Sequence, residues 1–307
     1  MKHYALVFGP ADVSYDMADM NVLYKTNSCV RSRFEHVSQL TNLSVEVLLQ
    51  QTSPSENLSR MELVSLGLAA GLLGIADHLS NKYGAAVCAG GVSIGELIAL
   101  AAANAIDLNT MVEIISLRKD FSDPSTNSGR EGVGFLVLPR NANWSYYQNH
   151  DRLSVAVDYG EIQGGVSRLL MISGLHKDLQ HAASDGPGTL DILPDTLCQA
   201  AYHSRYRSWI RDLIDNRISS DRFNNPDFPV ISCLDSTDMV TSADNARNIT
   251  LRSETECLRV GNLVDRINTT KAEQIFALGP FLRSLRIDFG LPVDFYDKEW
   301  VKNEYNG

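Results

Sequence analysis

Residues 88–96 are Cys-Ala-Gly-Gly-Val-Ser-Ile-Gly-Glu, and they join a short apolar run, Ala85–Ala89, to an Ala/Leu-rich stretch, Ile94–Ala105. The segment contains Gly-x-Ser-x-Gly centred on Ser93, which is the pattern of a nucleophile elbow between a strand and a helix. A plain glycine-rich turn would give the same pattern. The strand-like and helical segments on its two sides favour the elbow and predict an α/β fold.

The rest of the chain alternates between strand-like and helical patterns, which is typical of a mostly parallel sheet. Tyr4–Phe8 is an apolar run stopped by Gly-Pro and predicts a first strand. Residues 58–80 predict a helix, because apolar side chains recur three and four positions apart. Asp107 is a predicted N-cap of a further helix that has Ile114 and Arg118 on one side.

The composition changes at Ser122–Arg130, where Asp, Pro, Ser, Thr, Asn and Gly cluster and predict a loop. Strand-like and helical segments follow, at Gly134–Leu138, Leu153–Val157, Leu169–Ile172, Leu175–Ser184 and Thr189–Leu193. We therefore predict a large α/β domain made of residues 1–126 and 197–307, with a small α+β subdomain of residues 127–196 inserted into it.

The bulk composition indicates a globular protein, with 44% hydrophobic and 21% charged residues among 307. No uninterrupted apolar run reaches the roughly 20 residues that span a bilayer, and the N-terminus shows no signal-peptide pattern. We expect a cytoplasmic protein with no membrane contact. The net charge of −10 argues against nucleic acid as a partner. The isolated cysteines and the histidine spacing predict neither disulfides nor a metal site.

A serine hydroxyl needs a base to become nucleophilic, and His203 is the best candidate among seven histidines. It lies in Ala200–Ser204, directly after the predicted subdomain and at the start of a helical pattern. A structural histidine is the alternative at this position. The N–H of Ile94, at the start of the helix that follows Ser93, is available to hold an oxyanion.

Together these segments resemble the malonyl-CoA:ACP transacylase family, which includes the acyltransferase domains of polyketide synthases. Gly91–Glu96 resembles the family's G-H-S-x-G-E elbow, and Ala201–Ser204 resembles its A-F-H-S segment with the catalytic histidine. Arg118, 25 residues after the serine, matches the family's arginine. Phe228–Ser232 and Ala277–Pro280 resemble two later motifs, P-V-x-S-N and E-x-G-P. The resemblance spans about residues 5–286.

The resemblance implies an α/β-hydrolase-like large domain with a parallel sheet and an inserted ferredoxin-like small domain. It also implies ping-pong acyl transfer through Ser93, with His203 as base and Arg118 as a bidentate clamp for a malonyl-type carboxylate. No cofactor would be bound, since the substrate is an acyl thioester of CoA or of a phosphopantetheinyl carrier. The implied partners are an acyl carrier protein and polyketide synthase modules.

Several positions depart from the family pattern. The first loop is Gly-Pro-Ala-Asp-Val instead of G-Q-G-S-Q, so the N–H of Val13 would be the second oxyanion donor. Val92 replaces the histidine before the serine. Ser253 replaces the glutamine that orients the catalytic histidine, so its hydroxyl or its main-chain carbonyl would have to take over that role. These changes favour a specialised, free-standing polyketide-type acyltransferase.

An acidic transferase needs a local basic surface to attract an acidic carrier protein. Arg205, Arg207 and Arg211 follow His203 at helical spacing and are the predicted docking residues, although an ordinary solvated helix face is the alternative. Two other functions stay open on this scaffold. One is a hydrolase that removes stalled acyl groups from carriers, and the other is a catalytically silent protein that only binds carriers.

Overall fold

The structure is a computed structural model that describes residues 2–12, 17–50, 58–125, 129–234 and 239–305. The strands in these ranges are β1 (Tyr4–Phe8), β2 (Cys88–Gly91), β3 (Glu131–Pro139), β4 (Leu153–Ile162), β5 (Ser167–Leu175), β6 (Thr189–Ile192), β7 (Val230–Ile231), β8 (Leu258–Arg259), β9 (Gln274–Leu278) and β10 (Val293–Tyr296).

The α-helices in the same ranges are α1 (Ala18–Thr26), α2 (Ser28–Thr41), α3 (Val45–Gln50), α4 (Arg60–Tyr83), α5 (Ile94–Ala102), α6 (Leu108–Leu117), α7 (Ser145–Gln148), α8 (His176–Asp185), α9 (Ser208–Arg217), α10 (Ala243–Arg252), α11 (Val260–Ile267), α12 (Leu282–Leu285) and α13 (Lys298–Tyr305). Two short 3₁₀ helices lie at Arg205–Arg207 and Ser220–Arg222.

The first sheet is parallel and has the strand order β10-β9-β1-β2-β7. Its central strand β1 is buried at every position, as expected for a parallel strand that is covered on both faces. Leu6 pairs with Ala89 of β2 on one side and with Phe276 of β9 on the other. The carboxyl ends of β1 and β2 therefore lie side by side, and β2 leads directly to Ser93.

The second sheet has the order β6-β3-β5-β4-β8, and its first three pairings are antiparallel. In chain order its elements are β3, α7, β4, β5, α8 and β6, which is the ferredoxin-like arrangement. Both parts of the predicted fold class are confirmed. The sheet also includes β8, from the part of the chain that we assigned to the large domain, through a parallel pairing with β4. The domain boundaries themselves stay a prediction.

Helix α4 is the longest helix of the described residues and is apolar enough to span a membrane by length and composition. Its most apolar window is 83% buried inside the protein, so it is a core helix of the large domain. Ser59 caps its N-terminus by accepting a hydrogen bond from the Glu62 N–H. Gly74 lets α2 approach closely, because a Cβ there would lie 2.4 Å from Cα of Val30.

Helix α6 begins where the sequence predicts, since the Asp107 carboxylate accepts a hydrogen bond from the Thr110 N–H. The helix ends at Leu117, so Arg118 is its C-cap residue, with φ −75° and ψ 66°. The prediction that Arg118 lies on the helix was therefore wrong by one residue. Arg118 lines a cavity together with Pro10, which lies just after β1, and Ser93, which lies just after β2.

Candidate active site

Ser93 occupies a strained turn between β2 and α5, with φ 59° and ψ −117°. The glycines on both sides are needed for close approach of backbone. A Cβ at Gly91 would lie 2.2 Å from the carbonyl carbon of Gly95, and one at Gly95 would lie 2.3 Å from the carbonyl oxygen of Phe8. The Ser93 side chain does not cap α5, so its hydroxyl is available for chemistry.

His203 is the hydrogen-bond partner of this hydroxyl, with 2.9 Å between its Nε2 and Oγ of Ser93. Its Nδ1 lies 2.5 Å from the main-chain carbonyl oxygen of Ser253. A carbonyl only accepts, so Nδ1 carries the proton and Nε2 is free to accept from Ser93. The Ser253 hydroxyl donates to the carbonyl of Thr250 instead. Two groups of Ser253 were considered for orienting His203, the hydroxyl and the main-chain carbonyl. The main-chain carbonyl is the one that contacts the imidazole.

The imidazole of His203 is neutral at physiological pH. Burial lowers its pKa to about 4, while the Ser253 carbonyl and the charge of Glu254 act in the opposite direction. The positive charges of Arg118 and Arg207 lower the pKa further. A neutral imidazole with a free Nε2 is the form that can take a proton from a serine hydroxyl.

Arg118 lies in the same cavity and is paired with Glu254, a residue that we did not predict. The Arg118 Nε donates to Oε1 of Glu254 at 2.6 Å, and the exposed fractions of the two side chains are 15% and 5%. Glu254 directly follows the predicted orienting residue Ser253. That adjacency is a signal in the sequence, but the pairing with Arg118 joins positions 136 residues apart.

A cavity of about 300 Å³ holds these side chains between the two sheets. Its polar lining includes Ser93, His203, Arg118 and Glu254. Much of its apolar and aromatic lining comes from the second sheet and from Phe281, with the second-sheet residues Val133, Phe135, Val157, Tyr159 and Met171. The site therefore combines a nucleophile, a base and a cation with an apolar wall.

The predicted oxyanion donors are described only in part. Ile94 is the first residue of α5 and lines the cavity, as do Pro10, Ala11 and Asp12 of the first loop. The Ile94 N–H belongs to the free N-terminal turn of a helix, where anions are stabilised. Val13 lies outside the described residues.

The docking prediction was wrong for Arg207, which is fully buried. Its Nη1 donates to the carbonyl of Lys119 at 2.8 Å, and its guanidinium lies 5.1 Å from the Tyr202 ring centroid. The 3₁₀ turn after His203 directs this side chain inward, so it cannot contact a partner. Arg205 is exposed and bonds to the carbonyl of Asp151, and Arg211 pairs with Asp212.

Glu96 is a buried carboxyl in the first turn of α5, and burial raises its pKa to about 7. A folded-state pKa above the unfolded value means that stability is lost as the pH rises through 7. We expect Glu96→Gln to be more stable than the wild type at pH 8, by up to about 3 kcal/mol, and little different at pH 4.5. Urea unfolding at the two pH values measures this difference.

The control for this prediction is Glu113→Gln, because Glu113 is a glutamate of α6 whose side chain is 41% exposed. That variant should not gain stability between the two pH values. If the two glutamine variants respond to pH in the same way, burial of Glu96 is not the cause.

No protein-family model and no curated protein matches the sequence. Solved structures match it over nearly its whole length. A malonyl-CoA:ACP transacylase of Synechocystis is 16% identical with a TM-score of 0.78, and the match covers 99% of this chain and 100% of that one. An acyl carrier protein S-malonyltransferase of Vibrio cholerae is 18% identical with a TM-score of 0.78, covering 98% and 99%.

A third match is a malonyl-transacylase solved in complex with its type II polyketide synthase acyl carrier protein. It is 20% identical with a TM-score of 0.80, and the match covers 99% of both chains. This chain has the fold of the malonyl-CoA:ACP transacylases. The resemblance drawn from the short motifs is thus confirmed for the fold, over the length of the whole chain.

Proposed function

We propose that the protein is an acyltransferase that takes a malonyl-type acyl unit onto Ser93 and passes it to the phosphopantetheine thiol of an acyl carrier protein. The observation that supports this most is the chain of contacts from the Ser93 hydroxyl through His203 to the Ser253 carbonyl, in one cavity with Arg118. The fold that the chain shares with malonyl-CoA:ACP transacylases agrees with it.

In the first half-reaction, Oγ of Ser93 attacks the thioester carbonyl carbon while Nε2 of His203 takes the hydroxyl proton. The carbonyl oxygen becomes an oxyanion, for which the Ile94 N–H is the described donor. The tetrahedral intermediate then collapses, the carbon–sulfur bond breaks, and His203 returns the proton to the leaving thiolate. The product is an ester between the acyl group and Ser93.

In the second half-reaction the roles reverse. The carrier thiol gives its proton to Nε2 of His203 and its sulfur attacks the ester carbonyl carbon. Collapse breaks the bond to Oγ, and His203 returns the proton to Ser93. One neutral histidine therefore suffices for both halves, because in each half Nε2 takes one proton from the attacking group and then gives it to the leaving group.

Arg118 would bind the free carboxylate of the acyl unit. Glu254 takes its Nε, and the two Nη atoms remain for the carboxylate as a bidentate pair. The cavity also has more room than a three-carbon acyl unit fills, and much of its lining is apolar. This supports an extender unit such as malonyl or a larger relative. The donor would be a CoA or carrier thioester. The protein would be soluble and cytoplasmic and would serve a polyketide or fatty-acid pathway.

The direct test is to incubate the protein with malonyl, methylmalonyl and acetyl thioesters and to weigh it intact. Added carrier protein with a free phosphopantetheine thiol should then remove the acyl group faster than water does. Failure to acylate Ser93 with any dicarboxylic unit would contradict the clamp. Hydrolysis that outpaces transfer would favour the editing hydrolase, and failure of a serine-reactive phosphonate to label the protein would favour a silent carrier-binding protein.

The remaining docking candidates give a separate prediction. Charge reversal of Arg205 and Arg211 to glutamate should raise the KM for the carrier by about tenfold, because an acidic carrier is attracted by a basic surface. Acylation from small thioesters should change little. Lys302→Glu on α13 is the control, since it reverses an exposed charge on another helix. Equal losses in both half-reactions would contradict docking at this surface.

A further inference from the structure

Ser253 and Glu254, which directly follow α10, contact the side chains of His203 and Arg118. The Ser253 carbonyl oxygen accepts from Nδ1 of His203, and the Glu254 carboxylate accepts from Nε of Arg118. Both residues are buried, with exposed fractions of 4% each. The base and the clamp are therefore held by adjacent residues of one segment.

We propose that Glu254 is a positioning residue that holds Arg118 through Nε, so that both Nη atoms are presented to the carboxylate of the acyl substrate. This inference rests on the proposed function, because it assigns Arg118 a carboxylate ligand. Glu254 itself would not contact the reacting atoms. It would decide which edge of the guanidinium faces the cavity.

Arg118 donates only one hydrogen bond to Glu254, and this supports the role of Glu254 in positioning Arg118. A guanidinium has five N–H donors in one plane and can bind a carboxylate with two of them. Other ion pairs of this chain use two donors: Arg33 binds Asp77 through Nε and Nη2, and so does Arg252 with Glu256. Arg118 binds Glu254 through Nε alone, and within the described residues neither of its Nη atoms donates a hydrogen bond.

The backbone at Arg118 makes such a tether useful. Arg118 is the C-cap of α6, and its ψ of 66° lies outside the helical range. The helix therefore does not set the direction of its long side chain, which has many rotamers. A buried carboxylate at a fixed place can select one of them, and the Glu254 side chain is buried and lines the cavity.

The opposite role for Glu254 would be to occupy the edge of Arg118 that binds a carboxylate, so that the site takes an acyl group without a carboxylate. In that case the Glu254 carboxylate should occupy the Nη edge, where a substrate carboxylate would bind. The contact is at Nε, on the side of the guanidinium nearest the main chain. The geometry therefore favours positioning.

The test compares three variants of Glu254 by their KM for malonyl and acetyl thioesters, with acylation followed by intact mass. In Glu254→Gln the amide oxygen still accepts from Nε, so the malonyl KM should stay within about threefold. Glu254→Ala removes the acceptor and should raise the malonyl KM about tenfold or more. Glu254→Asp shortens the side chain by one methylene and should also raise the malonyl KM. The acetyl KM should not change, since acetyl has no carboxylate.

The matched control is Asp77→Asn, which alters an ion pair with the same 2.6 Å contact to Nε of an arginine. That pair joins α2 and α4 and lies outside the cavity. It should leave both KM values unchanged. Parallel losses for malonyl and acetyl in Glu254→Ala would show a merely structural role, and a lower malonyl KM would show competition with the substrate. Either result would overturn the inference.

Glu254→Asp keeps the test informative if the alanine variant does not fold. The malonyl KM could be unchanged in Glu254→Asp and raised in Glu254→Gln. The negative charge at position 254, and not the length of the side chain, would then be what matters, and this result would also overturn the positioning role. The wild type separates this inference from the proposed function. If the wild type accepts malonyl and the variants behave like it, only the inference fails. If the wild type accepts no dicarboxylic unit, the proposed function fails first.

Discussion

Replacing Ser93 with alanine should abolish the acyl-enzyme, so that no thioester in the panel adds mass to the protein. The Ser93 hydroxyl is the nucleophile that forms the ester, and no other described side chain at the strained turn can take its place. Replacing His203 with alanine should slow acylation by about 10³-fold, within the range of general-base effects. Rapid mixing with a malonyl thioester followed by intact mass measures both rates.

The control for this prediction is Ser65→Ala, because Ser65 is a second serine that lines the same cavity. It should acylate like the wild type. The Ser93→Ala variant should keep the wild-type unfolding midpoint, since the glycines on both sides of Ser93 form the elbow independently of its hydroxyl. Acyl mass on the Ser93→Ala protein would place the nucleophile elsewhere and contradict the proposed mechanism.

Replacing Arg118 with lysine should lower kcat/KM for malonyl thioesters by about 100-fold and change the acetyl value by less than about threefold. Lysine keeps the charge but has no planar fork, so it cannot bind a carboxylate with two parallel hydrogen bonds. Lysine is preferred to alanine here because alanine would leave the buried Glu254 carboxylate without a partner, which is strongly destabilising.

The ratio of the malonyl to the acetyl kcat/KM is the readout that separates a clamp from a structural arginine. The control is Arg33→Lys, which makes the same exchange in an ion pair outside the cavity. That variant should leave both values unchanged. If Arg118→Lys reduced the malonyl and acetyl values in parallel, Arg118 would support the fold of the site without binding the substrate carboxylate.

Much of the fold could be predicted because its signals are local. The run Tyr4–Phe8, the helix after residue 58 and the Asp107 cap each depend on residues within a few positions of one another. The elements that the sequence analysis did not predict are α1, α2, α3, α7, α10, α11, α12, α13, β8 and β10. Strand β10 has partly polar residues and is a strand because β9 lies beside it, which is a pairing across the sheet that no local pattern shows.

The errors at the site have the same origin. Arg207 was assigned to the surface because arginines are usually exposed, but the turn after His203 directs it beneath the carbonyl of Lys119. Glu254 was missed because its partner Arg118 is distant in the chain. Burial and ion pairing are properties of tertiary contacts, so charge and spacing in the sequence could not predict them.

For Ser93, the sequence alone indicated the elbow, because the close contact between Gly91 and Gly95 lies within five residues. Tertiary structure alone decided what surrounds it. His203 reaches the serine across 110 residues, with its tautomer set by a main-chain carbonyl that any residue at position 253 would supply. The physical reason is the distance along the chain over which each interaction acts. A tight turn depends mainly on residues adjacent in the chain, whereas the histidine tautomer and the ion pairs depend on residues that are adjacent only in space.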